Sequence, residues 1–252
     1  KEYRDAVGMY MVNEYKAGRT PNPDVMCNKE VKFGVFMKKA IELGADYVAT
    51  GHYATNKDGK LCMAKDSSKD QTYFLWTLTN DQLKKIKFPL GGLEKSEVRK
   101  IAEKHDLFTA SKKDSQGVCF LGEIDMKDFL KHYIETKKGD VLNEDGSVIG
   151  VHEGAILYAP GERHGFVLNE KSENQRRLYV VSRDTEKNTI TVSPNSPIEP
   201  TKEKSEIKLK DFIWREEIAP VKVYKARVRY QQELFPCLID GDKVTFTEET
   251  PL

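Results

Sequence analysis

The sequence has no C-x-x-C pair, no apolar run near the ~20 residues that a bilayer span needs, and no surplus of either charge. Cys27, Cys62, Cys119 and Cys237 stand singly, which argues against a tetrahedral zinc site, and no metal ligand set is expected. The 41 basic and 40 acidic side chains leave a net charge of +1, so no global field draws a polyanion and any basic surface must be local. Lys1 to Asp5 is charged with no apolar stretch behind it, so no secretory leader is read there. The expected setting is cytoplasmic, with no membrane partner. Isolated cysteines in a reducing compartment are either inert core residues or reactive ones. The chain opens inside a helix-like segment without an initiator Met, and is therefore expected to lack an N-terminal part.

What is present suits a layered fold. The 252 residues allow one large domain or two to three small ones, and 38% apolar content is adequate for a core. Val31, Val35, Phe36, Ala40 and Ile41 recur at helical spacing, and Gly44 supplies a left-handed cap. Tyr47 to Thr50 then reads as a short strand ending at Gly51 and His52. A helix followed by an apolar strand predicts an α/β layer fold, whose ligands bind outside the carboxyl ends of its strands. Further helices are predicted over 80–86, 95–105 and 125–134, and a hairpin turn at Lys57-Asp58-Gly59. From about Asp140 short β-branched runs dominate, with hairpin strands at 178–182 and 189–193, and Pro194 to Ser205 reads as a linker. The predicted division is 1–122, α/β; 123–199, a small β-rich domain; and 200–252, β-rich.

Two cysteine segments carry the candidate chemistry. In GRTPNPDVMCNKEVKFG, residues 18–34, Pro21 and Pro23 exclude regular helix before Asp24. A helix starting just after them puts Cys27 near its N-terminus, where exposed N–H groups and the dipole favour a thiolate. Asp24, three residues earlier, is either an acid/base partner or simply a helix cap above a packed cysteine. In ASKKDSQGVCFLG, residues 110–122, Gly117 permits an unusual turn before Cys119. That thiol is either a mobile sulfur carrier or a core residue between Val118 and Phe120. Further on, Lys225, Arg227 and Arg229 share one face of a strand predicted over 221–231. The stripe suits a phosphate backbone, or equally a charged, protected sheet edge. Cys62 and Cys237, in short β runs, read as structural, and Trp76 and Trp214 as packing residues.

The string PNPDVMCNKEVKFG, ATGHYA, KDQTYFLW, LGGLEKSEVRKIA, DSQGVCFLG resembles the tRNA 2-thiouridylases of bacteria and organelles, in order and spacing over residues 18–122. GDVLNEDGSVIGVHEG and KARVRYQQ resemble that family's central domain and C-terminal barrel. The resemblance implies a partial adenine-nucleotide α-hydrolase-like (PP-loop ATPase) layer fold, then a small β-rich central domain and part of a C-terminal β-barrel. It implies ATP, with Mg2+, activating the wobble uridine as an adenylate that a cysteine persulfide displaces. The partners implied are tRNA and a persulfide sulfur-donor protein. By the same resemblance Cys119 carries the persulfide, and Cys27 releases sulfide or closes a disulfide with it. Asp24 becomes the acid/base group and Gly51 the nucleotide contact. Asn22, Pro23, Asp24, His52, Lys69, Asp70, Gln71, Arg229 and Tyr230 become tRNA contacts. On their own residues, His52 also reads as a core or capping histidine, and Lys69-Asp70-Gln71 as a solvated turn.

The pattern is incomplete. The family's Ser-Gly-Gly-Val-Asp-Ser phosphate loop does not occur, Glu162 stands where Gln is expected, and Gln231 stands where a second Arg is common. Two rivals follow: a non-catalytic tRNA-binding chain, and a related ATP-dependent ligase or amidase whose cysteines are structural.

Overall fold

The computed structural model describes residues 3–112, 126–169, 177–195, 206–219 and 221–247. The chain forms two compact units, neither continuous in sequence: Lys1–Val7, Pro23–Gly122 and Ser205–Glu248 make the first, and Gly8–Asn22, Glu123–Lys204 and Glu249–Leu252 the second.

In the first unit one helical run begins at Pro23, whose missing N–H and fixed φ suit a first helical position. It passes through Pro23–Met26, a stretch Cys27–Phe36 with wider i→i+5 turns, and Met37–Glu42. It stops at Gly44, whose φ of 92° allows the N–H groups of Gly44 and Ala45 to reach the carbonyls of Ile41 and Ala40. The run's inner face puts Phe33 and Met37 against Val48, Leu75, Leu78, Leu83, Ile86 and Phe88. Val48–Ala49 pairs in parallel with Ile86–Lys87, the α/β signature, and Gly51 lies just past the carboxyl end of the first strand. The predicted hairpin is present: Thr55–Lys57 pairs with Lys60–Cys62, with Asp58 and Gly59 both at positive φ. Asn80–Lys84 opens with a capping box between Thr79 and Gln82, and Lys95–Lys104 with one between Glu94 and Glu97. Asn56 ties the hairpin to the core by donating to the Leu83 and Ile86 carbonyls.

Gly91 marks the tightest approach here. A Cβ on it would sit 1.8 Å from the Ala54 carbonyl oxygen, so backbone must move to admit one. Gly91→Ala is expected to cost about 1–3 kcal/mol of unfolding free energy, measured by urea titration, and an unchanged midpoint would show the approach is not constrained.

The C-terminal residues of the same unit form an antiparallel sheet in the order Glu206–Lys208, Lys243–Phe246, Phe235–Asp240, Tyr224–Ala226. The strand predicted over 221–231 is shorter than expected. It ends at Ala226, because Gln232 Oε1 accepts the N–H groups of Val228 and Arg229 and Gln231 turns at a φ of 61°. Lys225, Arg227 and Arg229 therefore do not form one strand face.

The second unit is a five-stranded sheet in the order Phe166–Leu168, Val148–His152, Gly139–Leu142, Thr189–Ser193, Tyr179–Asp184. Only the Gly139–Leu142 and Thr189–Ser193 pair is parallel. Its core gathers Val141, Leu157, Tyr158, Val180, Ile190 and Val192 with Leu130 and Ile134 from the helical segment around Met126–Lys131. Val12 and Tyr15 join it from Met9–Lys16, which explains why that helix clusters with this unit. Among the described residues no helix is long and apolar enough to cross a membrane.

Candidate active site

Cys27 lies one turn into the helix that Pro23 starts, and Asp24 lies in its first turn. The cysteine is fully buried, whereas Asp24 is half-buried. The wide turns begin at Cys27 itself, so the backbone around the thiol departs from regular α geometry where a nucleophile would stand. Among the described residues no disulfide is formed. Cys119 and its neighbours, residues 113–125, lie outside the described residues.

Asn28 and His52 join this helix to the end of the strand Val48–Ala49. His52 Nε2 lies 3.1 Å from Asn28 Oδ1, Thr50 Oγ1 lies 2.8 Å from His52 Nδ1, and Asn28 Nδ2 donates to the Phe74 carbonyl at 3.1 Å. Because the Asn28 amide nitrogen is spent on Phe74, its oxygen faces His52. The consistent tautomer carries the proton on Nε2, with Thr50 donating to Nδ1. Phe33 and Phe88 flank the ring at centroid distances of 5.8 and 6.1 Å, and Lys32 Nζ stands 3.5 Å from Nε2. Burial, then the Lys32 charge, pull the His52 pKa down to about 4, so the ring is neutral at pH 7. His52 is only 8% exposed, and both its nitrogens are committed inside the protein.

Gly51 is exposed beyond the strand end, where open α/β sheets receive ligands. A Cβ there would meet only the Leu90 side chain at 3.6 Å, so internal packing does not demand glycine, and a ligand drawn close to the backbone would. Among the described residues no group of three or more His, Cys, Asp or Glu could hold a metal.

The segment 69–71 is less solvated than its sequence suggests. Asp70 is 2% exposed. Its Oδ1 accepts from Arg227 Nη2 at 2.8 Å and Thr72 Oγ1 at 2.5 Å, and its Oδ2 from the Ala64 N–H at 2.9 Å. Gln71 brackets Tyr53: its side-chain oxygen accepts the Tyr53 N–H, and its own N–H donates to the Tyr53 carbonyl. Lys69 is half-buried, Arg229 is exposed, and the Tyr230 ring stacks at an angle on Phe74 with centroids 4.7 Å apart. The solvated-turn reading of Asp70 is thereby corrected: Arg227 draws the carboxylate inward.

Known proteins match both parts of the chain. The profile of the tRNA methyl transferase HUP domain matches residues 1–123, and that of the tRNA methyl transferase PRC-barrel domain residues 127–194. The tRNA-specific 2-thiouridylase MnmA of Enterococcus faecalis is 52% identical over 197 residues, 76% of this chain and 53% of that protein. The protein of the same name from Listeria innocua is 52% identical over 196 residues, 76% of this chain and 52% of the relative. That from Staphylococcus carnosus is 50% identical over 197 residues, with the same two shares.

The chain belongs to the tRNA-specific 2-thiouridylase family.

It spans about half the length of the curated relatives it matches. Its expected α/β part is a HUP domain, and a β-rich domain follows. Glu162, a departure from the thiouridylase pattern, is used locally: Oε1 accepts the Ala159 N–H at 3.0 Å and Oε2 pairs with Lys127 at 3.2 Å. Cys237 is buried, and its thiol pKa is raised by burial, which suits the inert role expected of it. Trp76 and Trp214 are each 40% exposed, more open than core packing residues. Sequence reasoning missed Asn28 and Arg227 as organising groups. The one available signal for Asn28 was a polar side chain at the Cys27 end of an otherwise apolar helix face. Arg227 had none, because its partner Asp70 is distant in sequence.

Proposed function

We propose that this chain carries the sulfur-relay and RNA-facing part of an ATP-dependent tRNA-uridine 2-sulfurtransferase. The observation that carries the reading is Cys27, with Asp24, in the opening turns of a helix in a chain half identical to 2-thiouridylases. In this reading Cys119 holds a persulfide received from a donor protein, and its terminal sulfur attacks C2 of the wobble uridine. ATP, with Mg2+, supplies the phosphoryl chemistry that turns the C2 oxygen into a leaving group. Cys27 then attacks the Cys119 sulfur, leaving sulfur on the base and a Cys27–Cys119 disulfide to be reduced, or alternatively frees sulfide from the persulfide. Asp24 exchanges the proton at the base, and Gly51 meets the nucleotide.

The tRNA contacts are Asn22, Pro23, Asp24, Lys69, Gln71, Arg229 and Tyr230, with His52 and Asp70 as internal members of the same surface. The functional divisions are 1–122, 123–199 and 200–252, the last as part of a barrel, and the setting is the cytoplasm. The neutral His52, hydrogen-bonded between the cysteine helix and the segment that leads from the strand Val48–Ala49 to Gly51, supports a fixed spacing between thiol and nucleotide.

The first test is binding. A tRNA transcript with uridine at the wobble position should bind the chain, with affinity falling as salt rises; Arg229→Ala should cost about 1 unit of the log–log salt slope. Binding that ignores salt would count against this surface.

A further inference from the structure

The resemblance places Asp70 against RNA, yet its carboxylate is closed off from solvent and ion-paired to Arg227, whose own side chain is only 14% exposed. We infer that Asp70 is a positioning residue: it anchors the 226–232 turn onto the 66–74 segment, so that Lys69, Arg229 and Tyr230 present one surface. The RNA part of this inference rests on the function proposed above; the anchoring does not.

Several contacts converge on the same joint. Arg227 Nη2 bridges Asp70 Oδ1 at 2.8 Å and Thr72 Oγ1 at 3.4 Å. Gln231 Nε2 donates to the Ser68 carbonyl at 3.1 Å, and Tyr73 Oη to the Val228 carbonyl at 3.5 Å. The Tyr230 ring closes over Phe74 and Tyr73, with centroids at 4.7 and 6.0 Å. Most of these are neutral and partly open contacts. The ion pair is the buried one, and a carboxylate held at 2% exposure requires its cation. A separate clamp, Arg215 Nη2 on the carbonyls of Trp76 and Leu78 at 2.6 and 2.8 Å, ties residue 215 to the chain just after the 66–74 segment. Arg227 is thus the group whose loss frees the turn without unfolding the sheet behind it.

The two roles of Asp70 make opposite predictions. An aspartate facing phosphates repels them, so neutralising it leaves RNA binding unchanged or tighter. An anchor for Arg227 works the other way, since neutralising it releases Arg229 and Tyr230 from their place. The pairing also predicts rescue. Arg227→Met strands a buried carboxylate, whereas Asp70→Asn with Arg227→Met leaves no unpaired charge.

The experiment is amide hydrogen exchange on the whole chain as wild type, Asp70→Asn, Arg227→Met and the double variant. Arg227→Met should speed exchange across 226–232 and 66–74 at least about 10-fold, and the double variant should recover most of that protection. Exchange at 33–42, in the core helical run of the same unit, serves as the control for its global unfolding. Unchanged exchange in Arg227→Met, or a double variant no better than that single one, would overturn the anchor. Binding of the wobble-uridine transcript is read in parallel. Asp70→Asn should weaken it several-fold in the wild-type background and by less in Arg229→Ala. Tighter binding in Asp70→Asn would return Asp70 to the RNA face. A wild-type chain that binds no transcript would sink the proposed function while the exchange data still decide the anchor.

Discussion

Cys119→Ser should abolish labelling of the chain when a persulfide donor carrying radiolabelled sulfur is supplied, a drop of at least about 100-fold. A persulfide forms only on a thiol that can accept the sulfane atom, and serine cannot. The two cysteine segments divide the work in the proposed relay, so Cys27→Ser should behave differently. It should still take up label at Cys119, because loading does not need the second thiol, but the label should no longer be discharged to the tRNA. Cys27 is fully buried in the opening turns of its helix, and serine there changes little volume, so the folded state should survive the test. Label retained on Cys119→Ser would refute the carrier assignment. Full activity retained by the Cys27→Ser, Cys119→Ser double variant would favour the rival reading of a related ATP-dependent ligase or amidase with structural cysteines.

Acid should destabilise the fold through His52. Its pKa in the folded protein is about 4, below the ordinary 6.5, because burial and Lys32 oppose the charged ring. The unfolded chain therefore takes up a proton before the folded one does. Above pH 6.5 both states are neutral and the group contributes nothing to pH dependence. Between pH 6.5 and 4 the folded state loses stability, and by pH 4 the loss from this residue reaches about 3 kcal/mol. Urea unfolding at pH 7 and pH 4.5 would measure it, with His52→Gln as the reference that removes the titration. The wild type should lose at least about 2 kcal/mol more than the variant across that interval. Equal losses would mean that the ring titrates normally and is not held neutral between Asn28, Thr50 and Lys32.

Those two results concern one helix, and much of its placement could be read from the chain. Pro21, Pro23 and Gly44 bound it because their backbone limits are local. The Lys57–Gly59 turn, the helix starting at Asn80 and the strands near 179 and 189 were legible for the same reason. The thiol segment itself was legible through its neighbours PNPD and NKEVKFG. Other features were not. The face expected of Lys225, Arg227 and Arg229 failed because alternation along a strand holds only while the strand continues, and the Gln232 side chain ends it. Trp76 and Trp214 looked like packing residues by type, and their exposure depends on how neighbouring segments cover them. That Met9–Lys16 clusters with the β-rich unit follows from Val12 and Tyr15 finding partners far along the chain.

The sequence by itself determined the family, the α/β opening with its β-rich continuation, and the candidate thiols, since motif order and local backbone chemistry are written residue by residue. The tertiary structure alone decided which charges face inward. Asp70 and Arg227 lie far apart in the chain, and only folding sets the dielectric and the distance that make them a buried pair. The same holds for His52, whose resistance to protonation between pH 6.5 and 4 comes from burial beside Phe33 and Phe88 and from the Lys32 charge, all supplied by folding.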